Sequence, residues 1–165
     1  MPRVLIVAYG NPLRCDDGLA WRAAGELKHK FPRSEVEIIC SHQLAPEMAE
    51  TVSRFAAVIF VDAAAADMEG EVRPGQIVCV EVSKPVEPVH FSHHLSPAAV
   101  VALAKQIYGA SLRAFSVTLT GECFDHGESL SPGVAAAMPR LIGRIDKLAQ
   151  ELLSAAVLSG ESDTP

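Results

Sequence analysis

The sequence predicts an α/β protein in three layers: a mostly parallel, five-stranded sheet with helices on both faces. Three observations carry this. Short continuous apolar runs, such as "RVLIVAY" at 3–9 and "AAVIFVDA" at 56–63, read as strands buried on both faces. The stretches between several of these runs place apolar residues at helical spacing. Hydrophobic residues make up 49% of the chain but aromatic ones only 5%, so Ala, Val, Leu and Ile must build the interior, as helices packed on a parallel sheet require.

The elements follow in order. Residues 3–9 form the first strand. Residues 16–30 read as a helix with Leu19, Ala20, Ala23, Ala24 and Leu27 on its apolar stripe, ended by Pro32. "EVEIIC" at 35–40 is the second strand. "APEMAETVSRF" is a short helix with Pro46 early, where a missing N–H does no harm. Strand three is 56–63, and strand four is "QIVCVEVS" at 76–83. A loop rich in Pro and His, "KPVEPVHFSHHLSP", comes next. Its length without periodicity points to function. Ser96-Pro97 cap a helix through Tyr108, with Val100, Leu103 and Ile107 inward and Gly109 as its stop. Strand five is 112–121. Ser131-Pro132 open the last helix, with Val134, Met138, Leu141, Ile145, Leu148 and Leu152 inward; Pro139 should bend it or mark where its regular part begins. Residues 1–157 are read as one domain and 158–165 as a disordered tail.

A chain of 165 residues suits a single core. The formal charge is −6 and no basic stripe is present, which argues against nucleic acid and anionic membrane as partners. No apolar run approaches the ~18 residues of a membrane span, and "MPRVLIVAYG" lacks a signal-peptide layout. Cys15, Cys40, Cys79 and Cys123 are scattered with no CxxC, so a reducing cytoplasm is the expected compartment.

Chemistry gathers in three loops. In an open α/β sheet, ligands bind beyond the carboxyl ends of the strands, where the strand order reverses. Asp16 and Asp17 follow strand one, Asp62 ends strand three, and His90, His93 and His94 follow strand four. With strands one and three adjacent, as in a flavodoxin-like order, Asp17 and Asp62 flank one crevice and the histidine loop leans over it. Two carboxylates and an imidazole form an open oxygen/nitrogen ligand set suited to Ni²⁺, Zn²⁺, Fe²⁺ or Mn²⁺. One of the two adjacent aspartates should cap the following helix, and Asp16 is assigned that role. His93 and His94 cannot both face one point. His29, His42 and His126 read as exposed or loop residues. Cys15 sits beside a helix N-terminus, which lowers a thiol's pKa, but its carboxylate neighbours push it back up, so it is not read as a nucleophile. Neither GxGxxG nor GxxxxGK[ST] follows strand one, which leaves no phosphate loop.

These residues resemble a known family. "GNPLRCDDG" is similar to the "GNPLRGDDG" signature of the nickel–iron hydrogenase maturation endopeptidases, with Cys15 in the place of a glycine. The likeness continues, in order, through "HQLAPEMAE", "VIFVDA", "SHHLSP" and "GESLSPGVAAAMPRLI", over about residues 3–155. The resemblance implies a flavodoxin-like α/β fold and Asp17, Asp62 and His93 as metal-contacting and catalytic residues, with Asp16 a further candidate. His93 is chosen over His94 because it keeps the His-x-Leu spacing to Leu95. It also implies an endopeptidase that removes a short C-terminal peptide from the hydrogenase large-subunit precursor once its nickel–iron site is loaded. The nickel then belongs to the substrate and no cofactor is permanently bound, although other divalent ions would fit the same ligands.

Two other classes share these residues. A metal-binding maturation partner without catalysis would use the same ligands. A phosphoacceptor receiver domain also has paired acids after strand one, an aspartate ending strand three and a Lys-Pro, here Lys84-Pro85. Its acids end strand one directly, whereas Gly10 to Cys15 intervene here, and its lysine follows strand five rather than strand four.

Overall fold

The structure, a computed structural model, describes residues 3–83 and 95–160. Its strands are β1 (Val4–Tyr9), β2 (Val36–Ser41), β3 (Ala57–Ala65), β4 (Ile77–Glu81) and β5 (Arg113–Gly121). Its helices are α1 (Leu19–Leu27), α2 (Met48–Val52), α3 (Pro97–Tyr108) and α4 (Pro132–Gly160), with a 3₁₀ turn at Cys15–Gly18 before α1. The strands form one sheet in the order β2-β1-β3-β5-β4.

Side-chain alternation divides the core into two layers. Val4, Ile6 and Ala8 of β1 share one face with Ile59 and Val61 of β3 and with Val117 and Leu119 of β5. α1 and α4 cover this face with the stripes expected from the sequence, and Val134, Met138, Leu141, Ile145, Leu148 and Leu152 are all buried. Leu5, Val7, Val58, Phe60 and Ala114 point to the other face, under α2 and α3. The three-layer α/β class predicted from composition and periodicity is the observed one.

Four details differ from the sequence reading, each for a physical reason. The first three strands take the expected flavodoxin-like order, but β5 lies between β3 and β4, and β4 runs antiparallel to it. Hydropathy marks a strand but not its direction. The first helix begins at Leu19 rather than at residue 16, because Asp16 and Asp17 turn through the 3₁₀ segment and spend their side chains on other loops. In α3, Ser96 Oγ accepts the N–H of Ala99 at 3.2 Å and Gly109 closes the helix at φ 63°, as expected, but Ile107 faces solvent. α4 passes through Pro139 and runs to Gly160, three residues into the stretch read as a disordered tail. Pro139 and Ala135 are both exposed, so the carbonyl that loses its helical partner at Pro139 lies on the solvent side.

Candidate functional site

β1 leaves the sheet through Gly10, whose N–H donates to Ser41 O at 3.1 Å. Gly10 has φ 139°, and a Cβ there would lie 2.1 Å from the Asp17 carbonyl oxygen. Only glycine permits both the backbone conformation and the approach. The chain then folds back on itself: Leu13 N–H donates to Asn11 Oδ1 at 2.9 Å, and Asn11 N–H donates to Asp17 Oδ2 at 2.7 Å. Trp21 braces the turn from α1, its indole N–H donating to Gly10 O at 3.0 Å and Ser41 O at 3.2 Å. His42 meets the Trp21 ring edge-on at 5.4 Å. His29, His42 and His126 are all exposed, as the sequence reading expected.

Asp16 does not cap α1, which corrects the sequence assignment. It is 0% exposed and joins the β1 loop to the segment between β5 and α4. Its Oδ2 accepts the N–H of Glu122 at 2.8 Å, the N–H of Cys123 at 2.9 Å and the Ser131 hydroxyl at 2.8 Å. Its Oδ1 accepts Ser131 N–H at 2.7 Å. Burial pushes this carboxyl up, but the bonds from Cys123, Glu122 and Ser131 outweigh it and hold Asp16 below the usual carboxylate range. With no exposed surface, Asp16 offers no oxygen to a substrate.

Asp62 has the opposite environment. Register pairs Ala8 with Val61, so Tyr9 and Asp62 emerge side by side at the carboxyl ends of β1 and β3, on the α2/α3 face. The adjacency of strands one and three inferred from sequence is thus observed. Burial drives the Asp62 carboxyl up to about 7, and the charge of Asp17 adds to the rise. Two donors oppose it, the Ala63 N–H at 2.8 Å and the Tyr9 hydroxyl. The Tyr9 phenol is itself pushed up, first by burial and then by the Asp62 charge. Asp17 and Asp62 are therefore close enough for the charge of one to act on the other at the carboxyl ends of β1 and β3.

The expectation that strand four ends beside Asp62 needs correction. β4 is antiparallel, with Ile77 opposite Leu119 and Glu81 opposite Phe115, so its carboxyl end lies at the far end of the sheet from Asp62. The start of α3 lies at the Asp62 end of the sheet instead. α3 ends shortly before β5 begins, so its first turn points back toward the carboxyl ends of β1 and β3. Leu95 is buried in the same apolar layer as Val7 and Phe60, which stand two residues before Tyr9 and Asp62 on their strands. His90, His93, His94, Lys84 and Pro85 lie outside the described residues. Among the described residues no group of three His, Cys, Asp or Glu side chains converges as a metal site.

Tyr9 escaped the sequence reading because it ends an apolar run and reads as core. Its signal is its place: the last residue of a buried strand, level with the acid that ends its neighbour. Thr120 is a second such residue. It is buried, its hydroxyl has no hydrogen-bond partner among the described residues, and its register opposite Ala64 puts it on the Asp62 face.

No protein-family model and no curated protein matches the chain. Solved structures do. The hydrogenase maturating endopeptidase HybD from E. coli superposes with a TM-score of 0.69 at 18% identity, over 90% of this chain and 93% of that one. The [NiFe] hydrogenase maturation protease HybD from Thermococcus kodakarensis gives 0.65 at 22% identity, over 89% and 99%. HycI, a [NiFe] hydrogenase maturation protease from Thermococcus kodakarensis KOD1, gives 0.69 at 21%, over 90% and 92%. Over nearly its whole length, this chain has the fold of solved hydrogenase maturation endopeptidases.

Proposed function

We propose that this protein is an endopeptidase that removes a short C-terminal peptide from a nickel-loaded hydrogenase large-subunit precursor. Asp17, Asp62 and His93 meet the substrate's metal. The observation that carries the reading is the Asp62–Asp17 pair, two carboxylates at one end of the sheet with Asp62 held up to about 7 by burial and by the charge of Asp17. A divalent cation arriving with the substrate relieves that repulsion and replaces the proton on Asp62. Docking is therefore selective for a metal-loaded precursor, and it strengthens as pH rises through 7. The position of Leu95 supports His93 as third partner, because it anchors the chain two residues on against the α2/α3 face.

With the metal seated, the adjoining peptide of the precursor lies along the open carboxyl edge of the sheet. Hydrolysis needs a water placed against the scissile carbonyl, a group to take its proton and a proton for the leaving amine. Asp17 is the acid positioned to take that proton, because every oxygen of Asp16 is already engaged. The four cysteines are unpaired, which suits work in the cytoplasm. Among the described residues no helix is long and apolar enough to cross a membrane.

The test is to mix the purified protein with a nickel-loaded precursor and a nickel-free control and to follow intact masses. Loss of a C-terminal peptide from the loaded form alone is expected. An intact loaded precursor that nevertheless binds the protein would instead favour a metal-binding partner without catalysis.

A further inference from the structure

Cys15 has φ 48°, the one positive value among non-glycine residues in the described parts of the chain. A side chain there costs roughly 1 kcal/mol relative to glycine. Its backbone N–H donates to Gly127 O at 2.7 Å, and the next residue's N–H donates to Cys123 O at 3.0 Å. Two loops far apart in sequence are thus held together on either side of this thiol. Cys123 N–H in turn donates to Asp16 Oδ2 at 2.9 Å, which sets Cys123 directly beside the Cys15 backbone; its thiol lies 4.0 Å from Asp125 Oδ2, and Cys123 is the leading cause of an upward push on the Cys15 thiol. Gly127 makes room for it, because a Cβ at that position would sit 3.0 Å from Cys15 Sγ. Neither cysteine is sealed in the core, and Cys15 lines an open depression of about 340 Å³ with Pro12, Leu13, Trp21 and Glu128. Cys40 and Cys79 stand on β2 and β4, the two outermost strands of the sheet. Only one pair of thiols is therefore placed to react together.

We propose that Cys15 and Cys123 are a dithiol modification site that closes to a reversible intrachain disulfide with a low-molecular-weight disulfide such as oxidised glutathione. The Cys123 thiolate attacks one sulfur of the reagent, forming a mixed disulfide and releasing one glutathione thiolate. Cys15 gives its proton to solvent and attacks the Cys123 sulfur, releasing the second glutathione. Two protein thiols are oxidised and one reagent disulfide becomes two thiols. The new bond staples the loops that Asp16 already ties, beside Asp17. It is independent of what the crevice binds.

The test uses the reduced full chain, incubated with oxidised glutathione at pH 8, quenched with an alkylating agent and mapped without reduction. The expected product carries two alkyl groups, on Cys40 and Cys79, and a linked peptide pair joining Cys15 to Cys123 that dithiothreitol separates. Its melting temperature rises by several degrees, and Cys15→Ser or Cys123→Ser leaves a glutathione adduct on the remaining thiol. Four alkyl groups, glutathione adducts on the wild type without the linked pair, or a link to Cys40 or Cys79 would each overturn the proposal.

Discussion

Asp16 and Asp62 stand at the same end of the sheet and meet opposite environments. Around Asp16, three backbone N–H groups and a hydroxyl converge on a fully buried carboxylate. Around Asp62, burial and a second carboxylate oppose the charge, with one backbone N–H and one phenol in compensation. The first arrangement stabilises a fold. The second holds a charge that the folded chain alone does not satisfy, a common property of functional acids. The comparison teaches that an acid's role here is set by its donors and not by its exposure, since the one with no solvent-exposed surface is the structural one.

The largest effect should come from removing the structural acid. Asp16→Ala leaves the N–H groups of Glu122, Cys123 and Ser131 without their acceptor and should cost about 3–5 kcal/mol, read by urea denaturation at pH 7. A loss under about 1 kcal/mol would show that the two loops hold together without it.

Asp62→Asn should do the reverse to stability while abolishing precursor processing. The folded value of Asp62 lies above its unfolded one, so its protonated form favours the fold, and that contribution fades as pH rises through about 7. Above that range the wild type carries the buried charge and the amide variant does not. The variant should therefore be more stable at pH 8 by about 2 kcal/mol, roughly half the full linkage value because the carboxyl keeps some solvent contact. At pH 4 the two should melt together. A variant less stable than wild type at pH 8 would remove the contrast. Asp16 has the opposite sign: its folded value is depressed, so its contribution is present above the unfolded value and is lost as pH falls through the folded one.

The smallest effect belongs to Tyr9→Phe. Loss of one donor should raise the Asp62 midpoint further, cost about 1 kcal/mol or less in stability, and move the pH profile of processing upward. An unchanged profile would reduce Tyr9 to a packing residue.

Much of this was legible in the sequence, and what was not has definite causes. Asp62 stood out because an acid closes an apolar run, and Asp17 because no helix needs two adjacent carboxylates at its start. The role of Asp16 was hidden because its partners lie 106 to 115 residues away, and nothing local marks them. Tyr9 was hidden in its own apolar run. The direction of β4 was invisible because an edge strand has the same hydropathy either way, and with it went the end of the sheet at which that strand finishes. The glycine expected at position 15 has a physical reason in the left-handed backbone there, which this chain fills with a thiol.

The most direct test of the division between the two acids is a carbon NMR titration of the Asp16 and Asp62 carboxyls in the full chain. The account predicts a midpoint near 7 for Asp62 and one below the usual carboxylate range for Asp16. Two overlapping midpoints near the ordinary aspartate value of about 4 would contradict it.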